Sequence, residues 1–370
     1  MKNILKLNAI SDKVLDVFKD NYQLCDSADD ALGIMVRSYN MHEYTPADSI
    51  LCVGRAGAGT NNIPVKDYAA KGVVVFNTPG ANANAVKELV LGALFLASRK
   101  ICQGINWANG LTDGEKTVGE QVEKGKKAFG GCEILGKTLA VYGLGAIGRK
   151  IAQSACALGM NVIGFDPYLP KDAKIEGVTI LNDKSDLFKM CDYLTLHVPL
   201  TNETRGLINK DTIAIMKDGV KIINASRGEI VNDDDIISAT ESGKVSCYVT
   251  DFPNAKVVGH ANILTIPHLG ASTEEAEDNC AVMAASQMVD YIENGNIVNS
   301  VNYPSIKVDR NGVRTVILCK DSSIDDIKAI AKGNITTAVK NEYGVVILDG
   351  EKQDTAKLSA IDGVIKVREI

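Results

Sequence analysis

Short apolar runs bounded by turn residues alternate with amphipathic stretches along most of the chain. ALGIMVRS, SILCVGRAG, KGVVVFNTPG, KTLAVYGLG, NVIGFD, DYLTLHVPL, VKIINASRG, SCYVTDF and ANILTIPH read as strands. This rhythm predicts parallel sheets with helices on their faces. From Asn82 to Arg99, Val86, Leu89, Val90, Ala93, Leu94 and Ala97 form one helical stripe. The polar stretch LTDGEKTVGEQVEKGKKAFGG reads as a surface connection, and a second series of strands and helices opens at Lys137. After His268, STEEAEDNCAVMAASQMVDYIENG starts from a Ser/Thr cap with glutamates in its first turn and stops at Asn294-Gly295. Beyond about residue 310 the order becomes strand, helix, strand, strand, helix, strand, in VRTVILC, SIDDIKAIAKG, TTAVKNEY, GVVILDG, DTAKLSAI and GVIKVREI. The expected fold is therefore α/β, with a small α+β module at its end.

Bulk properties narrow the function classes. A chain of 370 residues is longer than one core usually supports, so two or three domains are expected. A net charge of -6 gives no footprint for nucleic acid or an anionic membrane, so an anionic substrate must meet locally clustered arginines. No apolar run approaches a membrane span, and MKNILKLNAI lacks the apolar segment and cleavage site of an export signal. Nine cysteines, never spaced Cys-x-x-Cys, argue against a disulfide framework and against a metal site. A cytoplasmic protein is expected.

The most informative motif is TLAVYGLGAIGRKIA, in which Gly143-x-Gly145-x-x-Gly148 follows a strand and opens a helix. Gly143 makes the tight turn, Gly145 admits a pyrophosphate and Gly148 lets helix and strand pack closely, with Ala146 and Ile147 starting the helix. The next strand ends at Asp166, where a carboxylate would accept the adenosine ribose hydroxyls and repel a 2′-phosphate, selecting NAD over NADP. The plainer alternative is a glycine turn with a strand-end Asp acting as a cap. His268, at a strand end beside a Gly-Ala turn, has a side chain that exchanges protons near neutral pH. His42 and His260 read as surface residues.

VGRAGAG, NTPGANANAV, GLGAIG, HVPLTNET, NASRG and PHLGAST occur in this order. With them the chain closely resembles the D-isomer-specific 2-hydroxyacid dehydrogenase family from about residue 34 to 305. The resemblance implies two Rossmann-like, doubly wound domains. Residues 1–97 and 272–303 would form a discontinuous substrate domain, 98–271 the NAD-binding domain, and 308–370 a module similar to regulatory ACT domains. It implies that Arg227 holds the substrate carboxylate and 2-oxygen, a task suited to a planar guanidinium fork, and that His268 is the acid/base. Arg37, Ser38, Arg55, Gly57 and Asn82 match the substrate cleft, and the two arginines suit a phosphate, unless they pair with surface acids. His197, Pro199, Thr204, Ala225, Ser226 and Gly270 match the cofactor crevice, with His197 orienting it. Asp251 matches a residue that contacts the nicotinamide carboxamide, or else is a strand-end cap. The implied reaction is oxidation of 3-phosphoglycerate to 3-phosphohydroxypyruvate with NAD, the entry to serine synthesis, in a homodimer or higher homo-oligomer. Reduction of hydroxypyruvate or glyoxylate, and a non-catalytic NADH-sensing role, are the alternatives.

One departure matters. Family members commonly continue after this Asp as Asp-x-Phe-x-x-Glu-Pro, where the Glu stabilises the charged histidine. Here TDFPNAKVVGHANILTIPH lacks the Glu, and counting puts Lys256 in its place. Either Lys256 or a lysine from the GEKTVGEQVEKGKK connection joins the acid/base work, or His268 acts unaided. The alkaline limb of reductive activity should then fall at lower pH than in a Glu-containing relative. In the terminal module CKDSSIDDI stands where serine-binding modules usually read Asn-x-Pro-Gly, so a dimerisation module, a degenerate sensor or a plain α+β appendage is expected ahead of serine feedback.

Overall fold

A strand forms at the very start of the chain, in a stretch whose polar-interrupted pattern carries no strand signal. In the computed structural model, which describes residues 1–27, 29–170 and 172–370, Lys2–Lys6 (β1), Tyr22–Cys25 (β2), Gly33–Val36 (β3), Cys52–Arg55 (β4) and Val74–Phe76 (β5) build one sheet. It is parallel throughout, in the order β2-β1-β3-β4-β5. That is a doubly wound order, reversing between β1 and β3. The helix Glu274–Asn294 covers one face through Ala281, Ala284, Ala285 and Met288. Gly33 and Gly54 leave the groove into which Met288 fits, since a Cβ at either would strike its side chain.

The second sheet comprises Thr138–Tyr142 (β6), Asn161–Phe165 (β7), Val178–Ile180 (β8), Tyr193–Leu196 (β9), Val220–Asn224 (β10), Val245–Thr250 (β11) and Ile263–Thr265 (β12). Its order, β12-β11-β10-β9-β6-β7-β8, is the dinucleotide-binding arrangement with one added strand, reversing between β6 and β9. The chain divides into two compact units, Met1–Asn82 with Glu274–Ile370, and Ala83–Thr273. The expected division at 97/98 thus falls at 82/83. Helix Ala83–Ser98 belongs with the second sheet because Val90, Ala93 and Leu94 share a core with Ile151, Ala152 and Ala155 of helix Ala146–Ala157. The stretch read as a plain connection contains a helix, Val118–Gly125, closed by a Thr117/Glu120 capping box. Trp107 and Phe129 then pack ring to ring at 5.1 Å.

The terminal module has the expected element order. Arg314–Lys320 (β13), Asn334–Lys340 (β14), Tyr343–Asp349 (β15) and Val364–Glu369 (β16) form an antiparallel sheet ordered β14-β15-β13-β16. Successive strand residues face opposite sides, and here both sides are covered. Ile317, Cys319, Val346 and Leu348 meet the module's own Ile324, Ile327 and Leu358. Val316, Leu318, Val345 and Ile347 share a core with Met288, Tyr291 and Tyr303, which explains why VILC and VVIL are apolar without alternation. Contacts therefore group the module with the first sheet rather than setting it apart. Arg368 reinforces this packing by donating to the carbonyls of Tyr291 and Ile292. Arg314, fully buried, grips Asp349 bidentately at 2.6 and 2.7 Å and donates to the carbonyls of Asn294 and Val308. Among the described residues no helix is long and apolar enough to cross a membrane.

Candidate active site

In the second unit the reversal between β6 and β9 opens a crevice, and the glycine motif lies there. Gly143 has φ 96°, and a Cβ on it would collide with the His197 carbonyl of the neighbouring strand end. Gly148 packs against the Gly143 carbonyl so closely that a Cβ has no room. Gly145 differs: it precedes the helix Ala146–Ala157 with no side-chain cap, and nothing lies within 4 Å of where its Cβ would stand. A helix N-terminus with free backbone donors and open space in front of it suits a pyrophosphate. Asp166 is tied to this loop, accepting from the Leu144 N–H at 2.9 Å and the Tyr168 N–H at 2.9 Å.

Across the crevice, Thr204 gives its hydroxyl to the Pro199 carbonyl at 2.7 Å, shaping the Pro199–Thr204 turn. His197 bonds the Thr195 hydroxyl at 2.7 Å through Nε2, while its buried Nδ1 has no partner. Burial pushes its pKa down to about 3, which favours the neutral imidazole. Ala225, Ser226 and Arg227 form the turn after β10. Buried Asn224 holds it, accepting from the Ser226 N–H and donating to the Arg227 carbonyl at 2.8 Å. Ser226 Oγ donates to the Leu196 carbonyl. Asn224 lies inside NASRG, but sequence reasoning assigned it no task.

Arg227, Asp251 and His268 come from the ends of β10, β11 and β12. Asp251 is 3% exposed and one carboxylate oxygen, Oδ1, has no partner. Burial raises its pKa, opposed by the nearby His268, the Gly270 N–H that donates to it, and Arg227. A cavity of about 580 Å³ is lined by Asp251, His268, Glu229, Asp233 and Phe252 among others. Lys256 is not part of it. Its ammonium bonds both carboxylate oxygens of Asp234, at 2.8 and 2.9 Å, on the exposed start of a helix. Counting placed it in the Glu position, but the shorter loop carries it away. In its stead the Phe252 ring meets His268, centroids 4.6 Å apart.

In the first unit the reversal between β1 and β3 gathers Asn8, Arg37 and Ser38. Asn8 accepts from the Arg37 N–H at 2.9 Å and donates to Ser38 Oγ at 3.3 Å. Arg37 pairs with Glu277 at 2.7 Å, realising for this residue the alternative of an acid partner. Arg55 donates through Nε to the Arg37 carbonyl at 3.1 Å and lies over Gly57, where a Cβ would collide with the guanidinium. Cys280 is buried beside Thr78 and within the field of both arginines, which moderates the rise that burial imposes on its thiol. Asn82 keeps a buried Oδ1 without a partner. Asn8 and Glu277 carry no motif that would have revealed them.

The second unit thus has a doubly wound order of the dinucleotide-binding kind, with Arg227, Asp251 and His268 at its strand ends. Residues 93–270 match the family described as D-isomer specific 2-hydroxyacid dehydrogenase, NAD binding domain. It is 32% identical over 354 residues to a D-3-phosphoglycerate dehydrogenase of Methanocaldococcus jannaschii, covering 93% of this chain and 65% of the relative. A Bacillus subtilis protein of the same name is 35% identical over 268 residues, 70% of this chain and 49% of the relative. The chain therefore spans from about half to 65% of these relatives' length. The NAD+-bound 3-phosphoglycerate dehydrogenase of Entamoeba histolytica superposes with a TM-score of 0.65 at 25% identity, over 81% of this chain and 98% of that one.

Proposed function

We propose that this protein oxidises 3-phospho-D-glycerate to 3-phosphohydroxypyruvate with NAD, the first step of serine synthesis. The observation that carries this reading is the meeting of Arg227, Asp251 and His268 at neighbouring strand ends of an NAD-binding domain. When bound, NAD supplies the hydride-accepting ring. Gly143 and Gly145 clear the backbone for its pyrophosphate, Asp166 receives the ribose hydroxyls, and the unpaired Oδ1 of Asp251 receives the carboxamide N–H. Arg227 grips the substrate carboxylate and polarises the 2-oxygen. His268 takes the hydroxyl proton in oxidation and returns it in reduction. Arg37 and Arg55 are assigned the phosphate.

The ion pair of Arg37 with Glu277 favours a second reading, reduction of an unphosphorylated 2-keto acid, because it consumes charge that a phosphate would need. NADH oxidation with hydroxypyruvate, its phosphate ester and glyoxylate separates the two. A preference for the ester is expected, and equal kcat/KM for hydroxypyruvate and its ester would refute our choice. We also propose a cytoplasmic homo-oligomer. Exposed Phe95, Ile101 and Ile105 offer an apolar surface in the second unit, and sedimentation velocity tests it.

A further inference from the structure

Phe252 stands one residue past Asp251, in a loop that carries no acid from Phe252 to Val258. Its N–H donates to Thr250 Oγ1 at 3.1 Å, which fixes how the loop leaves β11. The ring then contacts both groups assigned to the chemistry. Its centroid lies 4.6 Å from that of the His268 imidazole, with planes tilted by 48°, and 5.9 Å from Cζ of Arg227. A Cβ at Gly228, next to Arg227, would make an ordinary van der Waals contact with Phe252 Cβ at 3.4 Å, which places the start of this side chain against the turn that carries Arg227.

We propose that Phe252 is a positioning residue, one aromatic ring that holds the His268 imidazole and the Arg227 guanidinium in register. The proposal rests on the dehydrogenase reading above. An aromatic face attracts a guanidinium permanently and an imidazolium whenever His268 carries the proton. It thereby adds an aromatic face for the charged form of the acid to the Asp251 carboxylate already near it. The ring also restricts two side chains that would otherwise sample several rotamers, which matters because small misplacements of reacting groups are costly. Within this unit the charged groups around His268 are Arg227 from the turn after β10, Glu229 and Asp233 from the following turn and helix, and Asp251 from β11. Glu229 and Asp233 line the cavity with His268, whereas Lys256 is engaged by Asp234. Phe252 is the side chain in ring contact with the imidazole.

The test compares Phe252→Leu and Phe252→Tyr with the unaltered protein. In the resting protein, the imidazole C–H signals of His268, assigned with His268→Asn, should move in the Leu variant as the ring current disappears, and stay in place in the Tyr variant. In reduction of the 2-keto acid, the Leu variant should lose about tenfold in kcat with KM for NADH unchanged. Its alkaline limb should fall at a pH lower by roughly half a unit, and the Tyr variant should restore both. A Leu variant with unchanged His268 signals, or with unchanged kcat and pH limb, overturns the proposal. An unaltered protein that reduces no 2-keto acid overturns the dehydrogenase reading and the positioning role with it. An active protein with an unaffected Leu variant overturns the positioning role alone.

Discussion

Replacing Arg314 by Ala should separate the stability of the two units. Arg314 and Asp349 expose 0% and 6% of their side chains, and the guanidinium makes four hydrogen bonds, two to Asp349 and two to the carbonyls of Asn294 and Val308. Truncation strands a buried carboxylate and two carbonyls, and breaking such a pair costs about 3–5 kcal/mol. With a urea slope of about 2–3 kcal/mol per molar, the midpoint should drop by roughly 1–2.5 M. The protein's one tryptophan, Trp107, lies in the second unit, whereas Tyr22, Tyr291, Tyr303 and Tyr343 lie in the first. Seven of the eleven tyrosines lie in the first unit and four in the second, so the larger part of the tyrosine emission change should come early, and the tryptophan change should not. The double variant Arg314→Met/Asp349→Leu removes both charges and should be more stable than Arg314→Ala, because an apolar pair of similar volume leaves no orphaned charge. A midpoint shift below about half a molar, or a double variant no better than the single one, would refute this account. So would a Trp107 transition that moves in step with the tyrosines.

Other substitutions probe the cofactor crevice. Gly145→Ala, whose new Cβ meets nothing within 4 Å, should leave the melting temperature intact and raise KM for NAD, whereas Gly148→Ala should destabilise the domain outright. Asp251→Asn should weaken NAD binding in calorimetry while stabilising the protein near neutral pH. The sign follows from the raised pKa of Asp251: the folded state prefers the protonated acid, so this group's contribution is full below its unfolded pKa and is lost as pH rises through the folded value. The asparagine removes that loss, and a melting temperature at pH 8 no higher than the parent's would contradict it. His197→Gln should leave the alkaline limb of the rate profile in place, since burial holds the His197 pKa far below its usual value, while His268→Asn should abolish that limb together with most of the activity. Lys256→Ala, which loses only its exposed pairing with Asp234, should retain the parent's kcat and pH profile.

The linear pattern determined much of this protein. Central strands buried on both faces must be continuously apolar, so β3, β4, β6, β7, β9, β10 and β11 were legible; the edge strands β5 and β12 were legible through apolar runs of their own, and the helices Ala83–Ser98 and Glu274–Asn294 through their stripes and stops. Gly143, Gly145 and Gly148 were readable because backbone geometry there depends on residues adjacent in sequence. Short edge strands such as β2 and β8 were not, because what stabilises them is pairing with a neighbour rather than their own composition. The helix Val118–Gly125 escaped because a capping box in a polar stretch is a weak signal without burial. Tertiary structure alone decided which side chains meet. It paired Arg37 with Glu277, some 240 positions away, drew Lys256 out to Asp234, and set Phe252 against His268 where counting along the loop had suggested an ammonium. Counting fixes order along a chain, but a shortened loop changes direction as well as length. The partner of an acid/base residue is therefore set by where the loop turns, which the sequence does not spell out.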